Sequence, residues 1–187
     1  PSITSGKHGR PDIAFHVLLQ ALGCPLSREG LLRTYVHTVE DRVIEIDPAV
    51  RLPRNYDRFI GILEQLYEHQ RVPLDEHPLL SLRQSALPGL IRELEPSMTL
   101  AFSTVGTLKS MRDACSHLLG TGRPVALIGG FARSHFDQST LRLADRVFSI
   151  DKEGLDAWVV AARLVYEYEC GLGLPEKRIR VSQELCT

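Results

Sequence analysis

Three arginines crowd the start of what the sequence predicts as a helix. In the run Arg51-Leu52-Pro53-Arg54-Asn55-Tyr56-Asp57-Arg58, Asn55 is an N-cap by residue type, which puts Arg54 ahead of the cap and Arg58 in the first turn. The N–H groups at a helix start carry partial positive charge, so a cation there costs about a few tenths of a kcal/mol unless an anion completes the site. A bound phosphate resolves the conflict, and so does a surface ion network with Asp47, Asp57 or Glu64. Arg10-Pro11-Asp12 repeats the question on a smaller scale. Asp12 is either a first-turn acid that favours the helix dipole or a carboxylate that holds the Arg10 fork in place.

A second place for chemistry is Gly129-Gly130, directly after the apolar run Val125–Ile128. In open α/β sheets, ligands bind beyond the carboxyl ends of strands, and glycine there lets backbone approach a ligand closely. The same pair is also an ordinary turn signal. Gly120 and Gly122 lack the Lys-Ser/Thr of a phosphate loop and no GxGxxG is present, which argues against nucleoside triphosphates and dinucleotides. The four cysteines and seven histidines show no CxxC, HxH or HxxxH pair, so no metal is expected. Cys115, His16 and His117 read as core or boundary residues.

Composition narrows the partners. With 22 Lys+Arg against 23 Asp+Glu, a net charge of -1 excludes nucleic-acid binding by a diffuse basic surface and leaves a concentrated patch. The apolar runs are too short to span a bilayer. Unpatterned cysteines suit a reducing compartment, and the expected location is cytoplasmic. Pro1 to Gly9 is polar and reads as a flexible lead-in, not a secretory signal.

These groups must be positioned by folded elements, and 187 residues suffice for one domain. Pro11 opens a helix that Gly23 and Pro25 end. Leu31–His37 and Val43–Ile46 form a hairpin. Tyr56–Tyr67 is the clearest amphipathic helix. The proline-punctuated stretch from Val72 to Pro96 suggests loop with helical turns near Leu79–Gln84 and Leu90–Leu94. A regular alternation follows: strand Met98–Phe102, helix Leu108–Leu119, strand Val125–Ile128, strand Arg146–Ile150 and helix Leu155–Tyr168, then a looser tail from Gly171. That order implies a parallel sheet flanked by helices. The last helix is apolar almost all round, through Trp158, Val159, Val160, Ala161, Ala162, Leu164, Val165 and Tyr166, which points to a subunit contact.

Taken in order, Gly9-Arg10-Pro11-Asp12-Ile13, Tyr35-Val36-His37-Thr38, Ile46-Asp47-Pro48, Arg51-Leu52-Pro53-Arg54-Asn55-Tyr56, Arg58-Phe59-Ile60-Gly61 and Ile128-Gly129-Gly130-Phe131 resemble the archaeal and eukaryotic small-subunit rRNA pseudouridine N1-methyltransferase family. This family belongs to the SPOUT class of knotted methyltransferases. The resemblance runs from Arg10 to about Tyr168.

It implies one SPOUT domain over residues 1–187, with an RNA-contacting hairpin and helix at 10–69 and a trefoil-knotted cofactor-binding part at 97–170. The activity implied is methylation of N1 of a pseudouridine in small-subunit rRNA, from S-adenosyl-L-methionine, by a homodimer that works among other ribosome assembly factors. Arg10 and Asp12 take the catalytic roles, and Arg10, Arg51, Arg54 and Arg58 contact rRNA. The cofactor falls to Leu100, to Gly129, Gly130, Ser134, His135 and Phe136, and to Phe148, Ser149, Ile150, Asp151 and Leu155. The resemblance also places a first strand and connecting segment ahead of Arg10. The rivals are a non-catalytic RNA-binding assembly factor and a SPOUT methyltransferase acting on tRNA.

Overall fold

A computed structural model describes residues 10–131 and 135–184, with side chains as far as Arg180. The lead-in Pro1 to Gly9 lies outside the described residues. In chain order the elements are α1 (Pro11–Gly23), α2 (Pro25–Arg28), β1 (Thr34–His37), β2 (Arg42–Ile46), α3 (Tyr56–His69), β3 (Arg71–Val72), β4 (Leu80–Gln84), α4 (Leu87–Leu94), β5 (Met98–Leu108), α5 (Met111–Ser116), β6 (Pro124–Ile128), α6 (Gln138–Leu141), β7 (Arg146–Ser149), α7 (Ala157–Gly171) and α8 (Leu174–Glu184). No helix among them is long and apolar enough to cross a membrane.

The strands make two sheets. The predicted hairpin pairs Thr34 with Ile46 and His37 with Val43, turning through Asp41 at φ 54°, a left-handed conformation that Asp tolerates better than most residues. Sheet order is β1-β2-β4-β3, antiparallel throughout. The amphipathic stripes of α1 and α3 pack on it around Phe15, Leu18, Phe59 and Leu66. The second sheet, β6-β5-β7, is parallel. Its core of Leu100, Phe102, Cys115, Phe148, Val160 and Leu164 is closed by α5 and α7. Each parallel connection runs through a helix, as parallel strands require. Along the free edge of β6 runs an apolar cavity of about 1970 Å3, walled by α1, α4 and α7 among others.

Three expectations need correction. Leu80–Gln84 is a strand, not a helical turn: Leu80 and Leu82 are buried while Ser81 and Arg83 are half-buried, a period of two that matches the edge offered by β2. The helix expected over Leu108–Leu119 shortens to α5, since Ser110 caps it by accepting the Asp113 N–H and Leu108 still belongs to β5. The tail after Gly171 is not loose. Gly173, at φ 63°, turns the chain and α8 follows.

Helix α7 is covered within the chain along Ala157, Val160, Ala161, Leu164 and Val165, while Tyr166 stays 61% exposed. Its buried Glu169 accepts the Leu26 N–H at 2.8 Å, fastening the start of α2 to α7. Losing that acceptor leaves a buried donor unpaired, which typically costs about 1–3 kcal/mol. Glu169→Ala should therefore lower the free energy of urea unfolding by about 2 kcal/mol, with Glu169→Gln, which keeps an acceptor oxygen, losing distinctly less. Equal losses for the two variants would show that the hydrogen bond is not the reason for the burial.

Candidate active site

The carboxyl ends of β5, β6 and β7 lie at one edge of the parallel sheet, where loops can converge on a ligand. The loop from β5 is shaped by a pairing irregularity. Phe148 is partnered by Phe102 and again by Thr107, so residues 103–106 leave β7 and rejoin it. Gly106 makes this possible: a Cβ there would sit 2.6 Å and 2.7 Å from backbone atoms of Phe148 and 2.7 Å from Val147, closer than any side chain permits. A lone glycine among strand residues is a signal of close backbone approach, and it is the signal that sequence reasoning passed over.

The loop after β6 begins at Gly129. A Cβ on Gly129 would fall 2.6 Å from the Phe131 ring, which meets Phe136 edge-on with centroids 5.2 Å apart. Thr104 and His135 join the first loop to the second by an Oγ1···Nδ1 hydrogen bond of 3.3 Å. In the third loop the Ser149 hydroxyl donates to the Asp151 carbonyl at 2.7 Å, and the Asp151 carboxylate accepts the Glu153 N–H at 3.2 Å. Asp156 occupies the N-cap of α7 without capping it.

Together the loops enclose a cavity of about 390 Å3, within the range of small-molecule sites. Of the residues expected to hold a cofactor, Gly129, His135, Phe136, Phe148, Ser149, Ile150, Asp151 and Leu155 line it. Leu100 does not: it is wholly buried, and the wall it was expected to form belongs to Phe102, Ser103 and Thr104. Gly130 is not among the lining residues either; a Cβ there would sit 3.8 Å from the side chain of Ile13 of α1, which is itself at the cavity. Ser134 lies outside the described residues. The expectations did not include Glu153, Asp156 and Trp158, which also line the cavity.

Arg10 is at the same cavity. Asp12 holds it in a bidentate fork, Nε to Oδ1 at 2.8 Å and Nη2 to Oδ2 at 2.5 Å. The hydrogen bond from Arg10 keeps the Asp12 carboxyl below the ordinary range for aspartate, against a smaller opposing effect of burial. The fork reading of Arg10-Pro11-Asp12 is therefore the one the structure bears out. Nearby, Tyr56 opens α3 with its ring 5.6 Å from Phe15. Its hydroxyl is pushed up by burial first and by the Asp12 carboxylate second.

The arginine run is arranged as its cap predicted. Asn55 Oδ1 accepts the Arg58 N–H at 3.0 Å. Arg51 folds back, its Nη1 within 3.3 Å of the Pro48 and Ala49 carbonyls and 2.9 Å of the Val50 carbonyl. Arg54 and Arg58 are exposed. Among the described residues no ion pair joins Arg51, Arg54 or Arg58 to Asp47, Asp57 or Glu64. Asp47 instead accepts the Ala49 N–H at 2.7 Å. The ion-network reading fails, and the cations stay at the positive end of α3. Among the described residues no group of His, Cys, Asp and Glu is arranged to hold a metal.

A parallel sheet whose strand-end loops close on a small-molecule cavity, with an oriented arginine beside it, defines an α/β enzyme that binds its ligand at the carboxyl ends of the strands. The family described as EMG1/NEP1 methyltransferase matches residues 3–169, and the chain belongs to it. Similar proteins include the ribosomal RNA small subunit methyltransferase Nep1 of Thermococcus kodakarensis, 36% identical over 168 residues that cover 90% of this chain and 74% of that protein. The protein of the same name from Pyrococcus furiosus is 37% identical over 163 residues, 87% of this chain and 71% of its own. The crystal structure of Archaeoglobus fulgidus Nep1 bound to S-adenosylhomocysteine superposes with a TM-score of 0.74 at 28% identity, covering 91% of this chain and 77% of that one.

Gly106 offers the sharpest test of this geometry. Gly106→Ala should cost about 1–3 kcal/mol, the range for atoms forced into packed space, because the obstructing atoms are backbone and cannot swing away. Thermal unfolding measures it; a variant as stable as the parent would mean that the loop does not lie against β7.

Proposed function

We propose that this protein is an S-adenosylmethionine-dependent methyltransferase of small-subunit ribosomal RNA whose acceptor is the N1 nitrogen of a pseudouridine. The observation that carries the reading is the convergence of Arg10 with the three strand-end loops on one cavity, in a chain of this family. The cavity suits the cosubstrate. Asp151, Glu153 and Asp156 line it, and carboxylates attract a ligand that carries a sulfonium and an ammonium group. Gly129 leaves the end of β6 without a Cβ, which lets the Phe131 ring, itself part of the lining, lie against the backbone there.

S-adenosylmethionine supplies an electrophilic methyl group, and the work left to the protein is alignment of the acceptor nitrogen with it. Arg10, held rigid by Asp12, orients the acceptor base. Asp12 is a weak proton acceptor at neutral pH because its carboxyl is held low, so it serves as the positioning partner of Arg10. Arg54 and Arg58, unpaired at the start of α3, bind phosphates of the RNA loop whose base is splayed into the site. Arg51 contributes a further cation while bracing the turn before α3.

The reading extends to a homodimer, with the exposed Tyr166 face of α7 in the contact, and to a trefoil knot within residues 97–170. The first strand expected ahead of Arg10 has a place to pair at the free edge of β6. Transfer of a labelled methyl group to small-subunit rRNA fragments carrying pseudouridine, or uridine in its place, tests the activity; methylation of both, or of tRNA alone, would replace the acceptor assigned here. Binding without any transfer would make the protein an assembly factor.

Arg54→Ala and Arg58→Ala should each weaken RNA binding and lower the slope of log affinity against log salt by about one unit. Neither should lose stability, and Arg58→Ala should gain a few tenths of a kcal/mol, roughly the cost of a cation at a helix start. Arg10→Ala should instead reduce methyl transfer even at saturating RNA. Stability losses in Arg54→Ala and Arg58→Ala with RNA affinity intact would make these arginines scaffolding.

Gly129→Val should abolish binding of S-adenosylhomocysteine, since its side chain displaces the Phe131 ring into the cavity. Calorimetry decides, and unchanged affinity in the folded variant would remove Gly129 from the site.

A further inference from the structure

The cavity is lined by two kinds of residue. Most come from the strand-end loops, and to these are added Arg10 just before α1, Ile13 of α1 and Trp158 from the first turn of α7. Trp158 is the single tryptophan of the chain. Its ring is half-buried, and it lies 5.2 Å, centroid to centroid, from the imidazole of His16, tilted by 54°. His16 is exposed on α1 and rests in turn on Phe15 at 5.4 Å, so the indole is propped from the α1 side and cannot swing away from the cavity in that direction. Of the other rings at the cavity, Phe102 and Phe148 are 7% and 5% exposed and belong to the core, the His135 imidazole is hydrogen-bonded to Thr104, and Phe131 packs edge-on against Phe136 while staying 40% exposed.

We infer that Trp158 is the stacking platform for the splayed acceptor base, holding the ring plane while Arg10 fixes its edge. The inference rests on the functional reading above and adds a residue to it. A base taken out of its own stack needs an aromatic face to replace the one it leaves. Trp158 lines the same cavity as Arg10. Apolar packing alone would account for a tryptophan on α7, but it would not require the residue to line that cavity.

Because the chain has one tryptophan, its fluorescence reports this contact directly. The probes are a small-subunit rRNA stem-loop carrying one pseudouridine in the loop, the same RNA abasic at that position, and S-adenosylhomocysteine alone. Labelled-RNA anisotropy follows binding in parallel. The pseudouridine loop should quench Trp158, whereas the abasic loop should bind through its phosphates with the quench lost. Trp158→Ala should weaken binding of the pseudouridine loop about tenfold or more, the range for a lost base–aromatic stack, with Trp158→Phe recovering most of it and affinity for S-adenosylhomocysteine unchanged in both. Binding and methyl transfer with equal quenching by the two RNAs overturns this inference and leaves the functional reading standing. So does loss of S-adenosylhomocysteine affinity with RNA affinity intact, which would assign the indole to the cosubstrate. Quenching by the pseudouridine loop without methyl transfer overturns the functional reading and leaves the platform in place. Failure to bind either RNA overturns both.

Discussion

Everything at the site depends on how closely β5 can lie against β7. The backbone at Phe148 is paired with Phe102 and with Thr107, and between those two partners the chain presses Gly106 onto the Val147–Phe148 peptide. A strand normally keeps neighbours about 4.8 Å away in the hydrogen-bonding direction; the crossing here is closer because nothing but a hydrogen occupies the side-chain position. That contact sets the path of the first loop relative to the third. The Thr104–His135 hydrogen bond then relates the first to the second. Three loops from three strands thus behave as one frame, and the preorganisation on which methyl transfer relies is a property of that frame.

The electrostatics of the RNA side follow a different logic. Arg10 is paired locally with Asp12, whose two oxygens meet Nε and Nη2 and so favour one orientation of the guanidinium plane. Among the described residues Arg54 and Arg58 have no carboxylate partner, and their charges add to the dipole of α3. A protein gains nothing in stability from this arrangement, since like charges at a helix start repel. The arrangement leaves two side-chain charges beside a helix start, a combination that favours an anion.

Helix α1 connects the two halves. Phe15 and Leu18 enter the core of the antiparallel sheet, while Arg10 and Ile13 reach the cavity of the parallel one and His16 meets Trp158 on α7. A helix repeats its faces every 3.6 residues, so a single element of this length can serve both cores and still present its first turn to the ligand. The Glu169–Leu26 hydrogen bond holds α2, which follows α1 directly, against the same α7. The antiparallel and parallel sheets are thereby packed through shared helices, whatever their separation along the chain.

Much of this was legible in the residues themselves. Asn55 announced the start of α3 by its capping chemistry, Pro11 that of α1, and the glycine after Ile128 the end of a ligand-facing strand, because caps, fixed φ angles and missing Cβ atoms are local properties. The arginine run also stood out locally, as a charge conflict at a helix start. Distant choices were hidden. Leu80–Gln84 became a strand because β2 had an edge to pair, and Leu100 sank into the core because the strand ran further than its apolar run. A Cβ at Gly129 would meet the Phe131 ring and one at Gly130 would meet Ile13, a difference that the pair itself does not announce. Trp158 came to line the same cavity as Arg10, 148 positions earlier in the chain, only once α1 had packed on α7. Such placements depend on which surfaces meet, and no spacing within a single segment records that.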